Sequence, residues 1–127
     1  MKDGGPILGI DLGTTYCCVA VFERKIGEVV VLPNRENERT TPSYVSFLEG
    51  GGRVVGASAK ARTASNSRET VFDVKRILGR SGDDPVIEDE RRRLPFRVGD
   101  DNGRPVVEIE WMGEAKKFAP EEISGML

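Results

Sequence analysis

Three apolar runs lie close together at the start of this chain, and the links between them are too short to hold a helix. The runs are Ile7 to Ile10, Cys17 to Phe22 and Glu28 to Leu32, the last with three consecutive valines. Strands that pair in parallel need a crossover of about a dozen residues or more. Here the first link is the stretch from Asp11 to Tyr16, and the second is a turn at Lys25-Ile26-Gly27. An antiparallel three-stranded meander is therefore expected. Ile7 to Ile10 shows no polar alternation, the pattern of a strand buried on both faces.

Pro33 to Pro42 is polar and ends the meander. Ser43 to Phe47 reads as a strand, Gly50-Gly51-Gly52 as a flexible turn, and Arg53-Val54-Val55 as the strand that pairs back. Ala57 to Ala64 is alanine-rich and predicts a helix. Thr70 and Asp73 form a capping-box pattern for a second helix, with Val71, Val74, Ile77 and Leu78 at helical spacing and Gly79 as its stop. Phe96 to Val98 and Val106 to Trp111 flank Asp100-Asp101-Asn102-Gly103, a strong hairpin signal. Met112-Gly113 turns the chain again, before a short return strand near Lys117 and Phe118. Pro120-Glu121-Glu122 then begins a helix, with proline in the first turn and acids at the positive end of the dipole. The sequence stops at Leu127 inside that helix, which reads as a truncated chain. The composition divides near Thr40 into a hydrophobic start and a smaller, more polar α+β portion.

Several functional classes are disfavoured at this point. With 127 residues and 38% hydrophobic content the chain can build one modest core. A net charge of -2 offers no basic field for nucleic acid. Arg91, Arg92 and Arg93 follow Glu88, Asp89 and Glu90, so this run reads as a solvated, self-neutralising stretch. No apolar run approaches the roughly 20 residues that span a bilayer, so no membrane role is expected. The N-terminus lacks the apolar centre of a secretory signal, which points to a cytoplasmic protein. Cys17 and Cys18 are adjacent and would face opposite sides of a strand, poor geometry for a disulfide. The sequence has no histidine. Ser-His and Cys-His chemistry and common zinc sites are thereby disfavoured, and both cysteines read as small buried hydrophobes.

The link "GIDLGTTYCC", Gly9 to Cys18, carries the chemistry. Asp-Leu-Gly-Thr makes a good hairpin turn, and that alone accounts for it. A second reading is a phosphate loop. Gly13 has no Cβ and lets backbone approach an anion. Successive N–H groups in a tight turn form an anion-binding concavity. Thr14 and Thr15 add hydroxyl donors, and Asp11 offers a hard oxygen ligand for Mg²⁺. The pattern is neither G-x-x-x-x-G-K-[ST] nor G-x-G-x-x-G. Lys75, taken alone, is an ordinary solvated lysine beside an apolar helix face.

These residues resemble the DnaK-type, 70-kDa heat-shock chaperone family. Ile10 to Cys17, "IDLGTTYC", is similar to the family's first signature. Arg39 to Val45, Thr70 to Arg76 with Gly79-Arg80, and "FAPEEI" from Phe118 to Ile123 resemble three further stretches, in order along the whole chain. The resemblance implies an α/β chain forming part of the actin-like, ribonuclease H-like ATPase domain. Residues 1–40 would supply the first strands and phosphate loop of the lower part of lobe I. Residues 41–117 would form its upper subdomain, and residues 118–127 the start of a returning lower-lobe helix. It further implies that Gly13, Thr14, Thr15 and Tyr16 bind the phosphates of ATP or ADP and that Asp11 helps position Mg²⁺. Lys75 would reach the γ-phosphate and aid attack by water, and Arg76 would contact adenine. Unfolded peptides and co-chaperones are the partners expected of the full-length family member.

The family also needs a second phosphate loop, an adenosine-binding segment, further carboxylates, a second lobe and a peptide-binding domain. None is in this sequence. The primary reading is the N-terminal part of an ATP-dependent folding chaperone, lacking half the site and inactive alone. The alternative is a truncated, non-enzymatic relative acting as an interaction module.

Overall fold

The computed structural model describes residues 5–127. The meander forms as the spacing requires. Strands β1 (Ile7–Leu12), β2 (Tyr16–Glu23) and β3 (Glu28–Leu32) pair antiparallel in that order. Their register places Ile7 opposite Phe22, Asp11 opposite Cys18 and Val19 opposite Leu32. The second turn closes with Gly27 donating to the Glu23 carbonyl at 2.9 Å, and Gly27 has a φ of 70°, which glycine adopts without strain. A two-residue strand β4 (Thr41–Pro42) joins the start of β2, with Tyr16 opposite Pro42. It brings the polar stretch after the meander back against the first turn.

Two further antiparallel sheets follow. In one, β5 (Tyr44–Phe47) lies between β6 (Arg53–Val55) and β7 (Thr70–Phe72). In the other, β9 (Arg104–Trp111) lies between β8 (Arg97–Asp101) and β10 (Glu114–Phe118). Its tight turns use left-handed backbone at Asn102 and Gly103 (φ 52° and 81°), then at Met112 and Gly113 (φ 54° and 74°). Helices α1 (Ala57–Lys60), α2 (Pro85–Arg93) and α3 (Pro120–Gly125) complete the chain. The class is mixed α/β with antiparallel sheets. No helix among the described residues is long and apolar enough to cross a membrane.

Several expectations need correction. Thr70 does not cap a helix: Thr70–Phe72 is a strand, with Thr70 opposite Ser46. The Thr70 hydroxyl donates to the Asn66 carbonyl at 2.7 Å and meets the Ser46 hydroxyl at 2.9 Å. Asp73 then adopts a left-handed φ of 55°, which stops helical propagation, and only a 3-10 turn, Val74–Arg76, follows. The alanine-rich helix is one turn long, because Arg62 and Thr63 donate three residues back, to Ala59 and Lys60, and tighten the chain out of the α form. The charged run from Glu88 to Arg93 does neutralise itself, Glu88 lying 3.4 Å from both Arg91 and Arg92. It is nevertheless part of α2, and Glu90 is buried rather than solvated, paired with Arg93. Asp84 caps that helix by accepting the Val86 N–H at 2.9 Å; this bond, then Arg80, holds its carboxyl below the ordinary 3.8.

The core draws on Val45, Phe47, Val71, Ile77, Ile87, Phe96, Val107 and Ile123, from the second and third sheets and the helices. The meander contributes little. Cys17 is buried and Cys18 half-buried, so only the first fits the reading of both as buried hydrophobes. Ile7, Leu8 and Ile10 are 57%, 56% and 71% exposed, so a run with the pattern of a strand covered on both faces stands uncovered in this chain. Among the described residues β1 pairs with β2 alone, leaving an open edge and bare apolar side chains. The 127-residue chain should therefore self-associate, and Ile10→Lys, which puts charge on the edge strand, should raise the concentration at which it does so. Light scattering against concentration checks this; a monodisperse wild-type monomer at all concentrations would contradict it.

Candidate functional site

β1 ends at Leu12 and β2 begins at Tyr16, so Gly13, Thr14 and Thr15 alone make the turn. Gly13 is required there: a Cβ would stand 2.1 Å from the Tyr16 carbonyl oxygen. The turn is gripped from outside by Ser43, between β4 and β5. The Ser43 N–H donates to the Thr15 carbonyl at 2.9 Å, and its hydroxyl donates to the Gly13 carbonyl at 2.8 Å. The Cys17 Sγ lies 3.0 Å from the same hydroxyl oxygen.

Lys75 arrives from the far side of the sequence. Its Nζ donates to the Leu12 carbonyl at 2.9 Å, across 63 residues. The left-handed bend at Asp73 and the 3-10 turn after it deliver this side chain. The Asp73 carboxylate is itself tied to α2 through Arg93 at 2.8 Å and lies 3.6 Å from Arg76. Hydrogen bonding to Glu90 raises the Arg93 pKa above its ordinary value, with a smaller contribution from Asp73 and against an opposing effect of burial.

Gly13, Thr14, Ser43 and Lys75 line one recess of about 10 Å³, with Leu12 and Val74 beside them and Ile123 and Ser124 of α3 on its wall. That is room for about one water molecule. The structure thus brings Gly13, Thr14 and Lys75 together, with Thr15 adjoining. It does not bring the other predicted residues to this recess. Asp11 stands exposed on β1. Tyr16 is exposed, its ring 5.9 Å from the Lys60 ammonium. Arg76 is exposed beside Asp73. Ser43 is the residue that sequence reasoning missed as part of the site. Its signal lies in the stretch "RTTPSYV", but only pairing of β4 with β2 shows which turn it serves.

Among the described residues no group of three or more His, Cys, Asp or Glu side chains could enclose a metal ion. The donor set suits a different mode of binding. Mg²⁺ binds through one or two carboxylates plus phosphate oxygens and keeps several waters. Asp11 near a turn of backbone amides and threonine hydroxyls fits that mode, and not an all-protein cage.

The family model described as Hsp70 protein matches residues 7–127. The chain is 47% identical over 122 residues to the heat shock 70 kDa protein of Neurospora crassa, covering 96% of this chain and 18% of that protein. It is 43% identical over 122 residues to the heat shock 70 kDa protein of Ajellomyces capsulatus, covering 96% and 17%. To a ribosome-associated molecular chaperone of Eremothecium gossypii it is 46% identical over 120 residues, covering 94% and 19%. A mixed α/β segment with antiparallel sheets, opening on a tight Gly-Thr-Thr turn, is the class that the fold defines. The chain belongs to the Hsp70 family, and the relatives it matches carry the names of heat-shock proteins and of a chaperone. It spans less than a fifth of the length of these relatives.

Proposed function

We propose that this chain is the opening part of the actin-like ATPase domain of an ATP-dependent folding chaperone. Residues 1–40 carry the first strands and the phosphate loop, residues 41–117 the upper subdomain, and residues 118–127 begin the helix that returns below. Gly13, Thr14, Thr15 and Tyr16 hold the phosphates of ATP or ADP, and Arg76 contacts adenine. One observation carries the reading: Lys75, remote in sequence, reaches the backbone of this turn, bonding the Leu12 carbonyl at 2.9 Å. A purely structural hairpin needs no such cation.

The chemistry follows from charge. Phosphoryl transfer is catalysed mainly by positioning and by neutralising the oxygens of the transferred group. Lys75 and the turn's N–H groups are the chain's own contribution to that neutralisation. Asp11 would hold Mg²⁺, which when bound offsets phosphate charge and fixes the phosphate tail. Unfolded peptides and co-chaperones are the partners of the complete protein under this reading. Membership of a family with a relative named as a molecular chaperone supports it.

Calorimetric titration with Mg-ATP tests the proposal. The full-length polypeptide should bind with a Kd in the micromolar range or tighter, about -8 kcal/mol or better. The 127-residue chain, holding the nucleotide from one side only, should bind far more weakly. A full-length protein without measurable affinity would overturn the reading; tight binding by the isolated chain would overturn its one-sided site.

A further inference from the structure

We infer that Ser43 is the positioning residue that aims the phosphate loop, an assignment that rests on the phosphate reading above. Ser43 is buried, 7% exposed, and takes hold of the turn at two points. Its N–H fixes the Thr15 carbonyl and its hydroxyl fixes the Gly13 carbonyl. The described residues contain no cis peptide. In a trans peptide the carbonyl and the next N–H point in opposite directions. Drawing the Gly13 carbonyl toward Ser43 therefore turns the Thr14 N–H away from Ser43. The Ser43 hydroxyl sets that peptide plane from outside the turn.

The Gly13 carbonyl accepts from the Ser43 hydroxyl at 2.8 Å, the short bond of this cluster. The Cys17 Sγ lies 3.0 Å from the Ser43 oxygen and 4.0 Å from the same carbonyl, completing a three-membered cluster beneath the turn. Losing the Ser43 hydroxyl leaves the carbonyl and the thiol without this partner and frees the Gly13-Thr14 peptide to rotate. The cost falls on a ligand that the Thr14 N–H contacts, and not on one held elsewhere.

Affinities for ATP, ADP and adenosine are to be measured in the full-length polypeptide, for wild type, Ser43→Ala and Ser43→Thr. The carbon-13 resonance of the Gly13 carbonyl is read in the same proteins. Ser43→Ala should weaken ATP and ADP by about tenfold, the scale of losing one well-made hydrogen bond. Adenosine should be unaffected, and Ser43→Thr, which keeps the hydroxyl, should restore both affinities. The Gly13 carbonyl signal should move in Ser43→Ala and not in Ser43→Thr. Equal losses for ATP and adenosine would mean a loosened fold and would overturn the assignment, as would an unmoved carbonyl signal. If Ser43→Ala does not fold, Ser43→Cys keeps a weaker donor and should give a smaller loss confined to ATP and ADP; no loss overturns the assignment. A wild type that takes ATP no better than adenosine defeats the phosphate reading, and this inference with it. A wild type that prefers ATP, with a Ser43→Ala variant that keeps the same preference, defeats the role of Ser43 alone.

Discussion

Replacing Lys75 by alanine in the full-length polypeptide should lower the rate of ATP hydrolysis by about a hundredfold, the scale of removing one preorganised donor from a developing charge. Nucleotide affinity should change much less, because a group that acts mainly in the transition state affects turnover more than binding. Lys75 is exposed and its structural bond is a single one to the Leu12 carbonyl, so its loss is not expected to unfold the protein. Asp11→Asn, nearly equal in volume, should lower turnover by about tenfold or more, or about 1.4 kcal/mol of transition-state stabilisation. Asparagine suits turns as well as aspartate does. Wild-type hydrolysis by both variants would leave "GIDLGTTYCC" as an ordinary hairpin. Single-turnover kinetics separate the chemical step from binding.

Gly13→Ala is expected to be the most damaging small substitution. The new Cβ would lie 2.1 Å from the Tyr16 carbonyl oxygen, a backbone atom that cannot swing aside. Either β2 shifts against β1, disturbing the pairing of Leu12 with Cys17, or the turn lifts off Ser43. Overpacking of this kind costs about 1–3 kcal/mol. ATP affinity should fall by about tenfold or more along with the denaturation midpoint, since about 1.4 kcal/mol corresponds to tenfold in binding. Gly9→Ala serves as the control: nothing lies within 4 Å of its added Cβ, so its stability should stay close to wild type. Equal behaviour of the two variants would contradict the strained turn.

Much of the path of the chain is legible in the sequence because it is local. The meander, the Gly50 to Gly52 turn and the Asn102-Gly103 and Met112-Gly113 hairpins all depend on spacing and turn chemistry within a few residues. Sequence reading fails where distant pairing overrides a local pattern. Thr70 to Leu78 has helical spacing, yet Thr70–Phe72 is claimed by β5, a strand some two dozen residues earlier, as the 24-residue separation of the Ser46 and Thr70 hydroxyls shows. The helix from Pro85 to Arg93 is masked by charges that suggest solvent, whereas Asp84 caps it and Ile87 and Glu90 bury one face. The same contrast holds at the site. The glycine and threonines announce a turn from their own chemistry. The approach of Lys75 to this loop is visible in the sequence only through family resemblance, and the grip of Ser43 only in the folded chain.

The core is built almost wholly from residues from Val45 onward, while the meander is joined to that part through the pairing of β2 with β4 and through bonds of Ser43 and Lys75. Such a chain has no reason to melt in one step. A molecule grasped at once by the Gly13-Thr14-Thr15 turn and by Lys75 would act as a cross-link between the meander and the separately packed remainder. A ligand that binds only the joined form stabilises it by mass action. Nucleotide would then be a structural member as well as a substrate, and its release would uncouple the two parts.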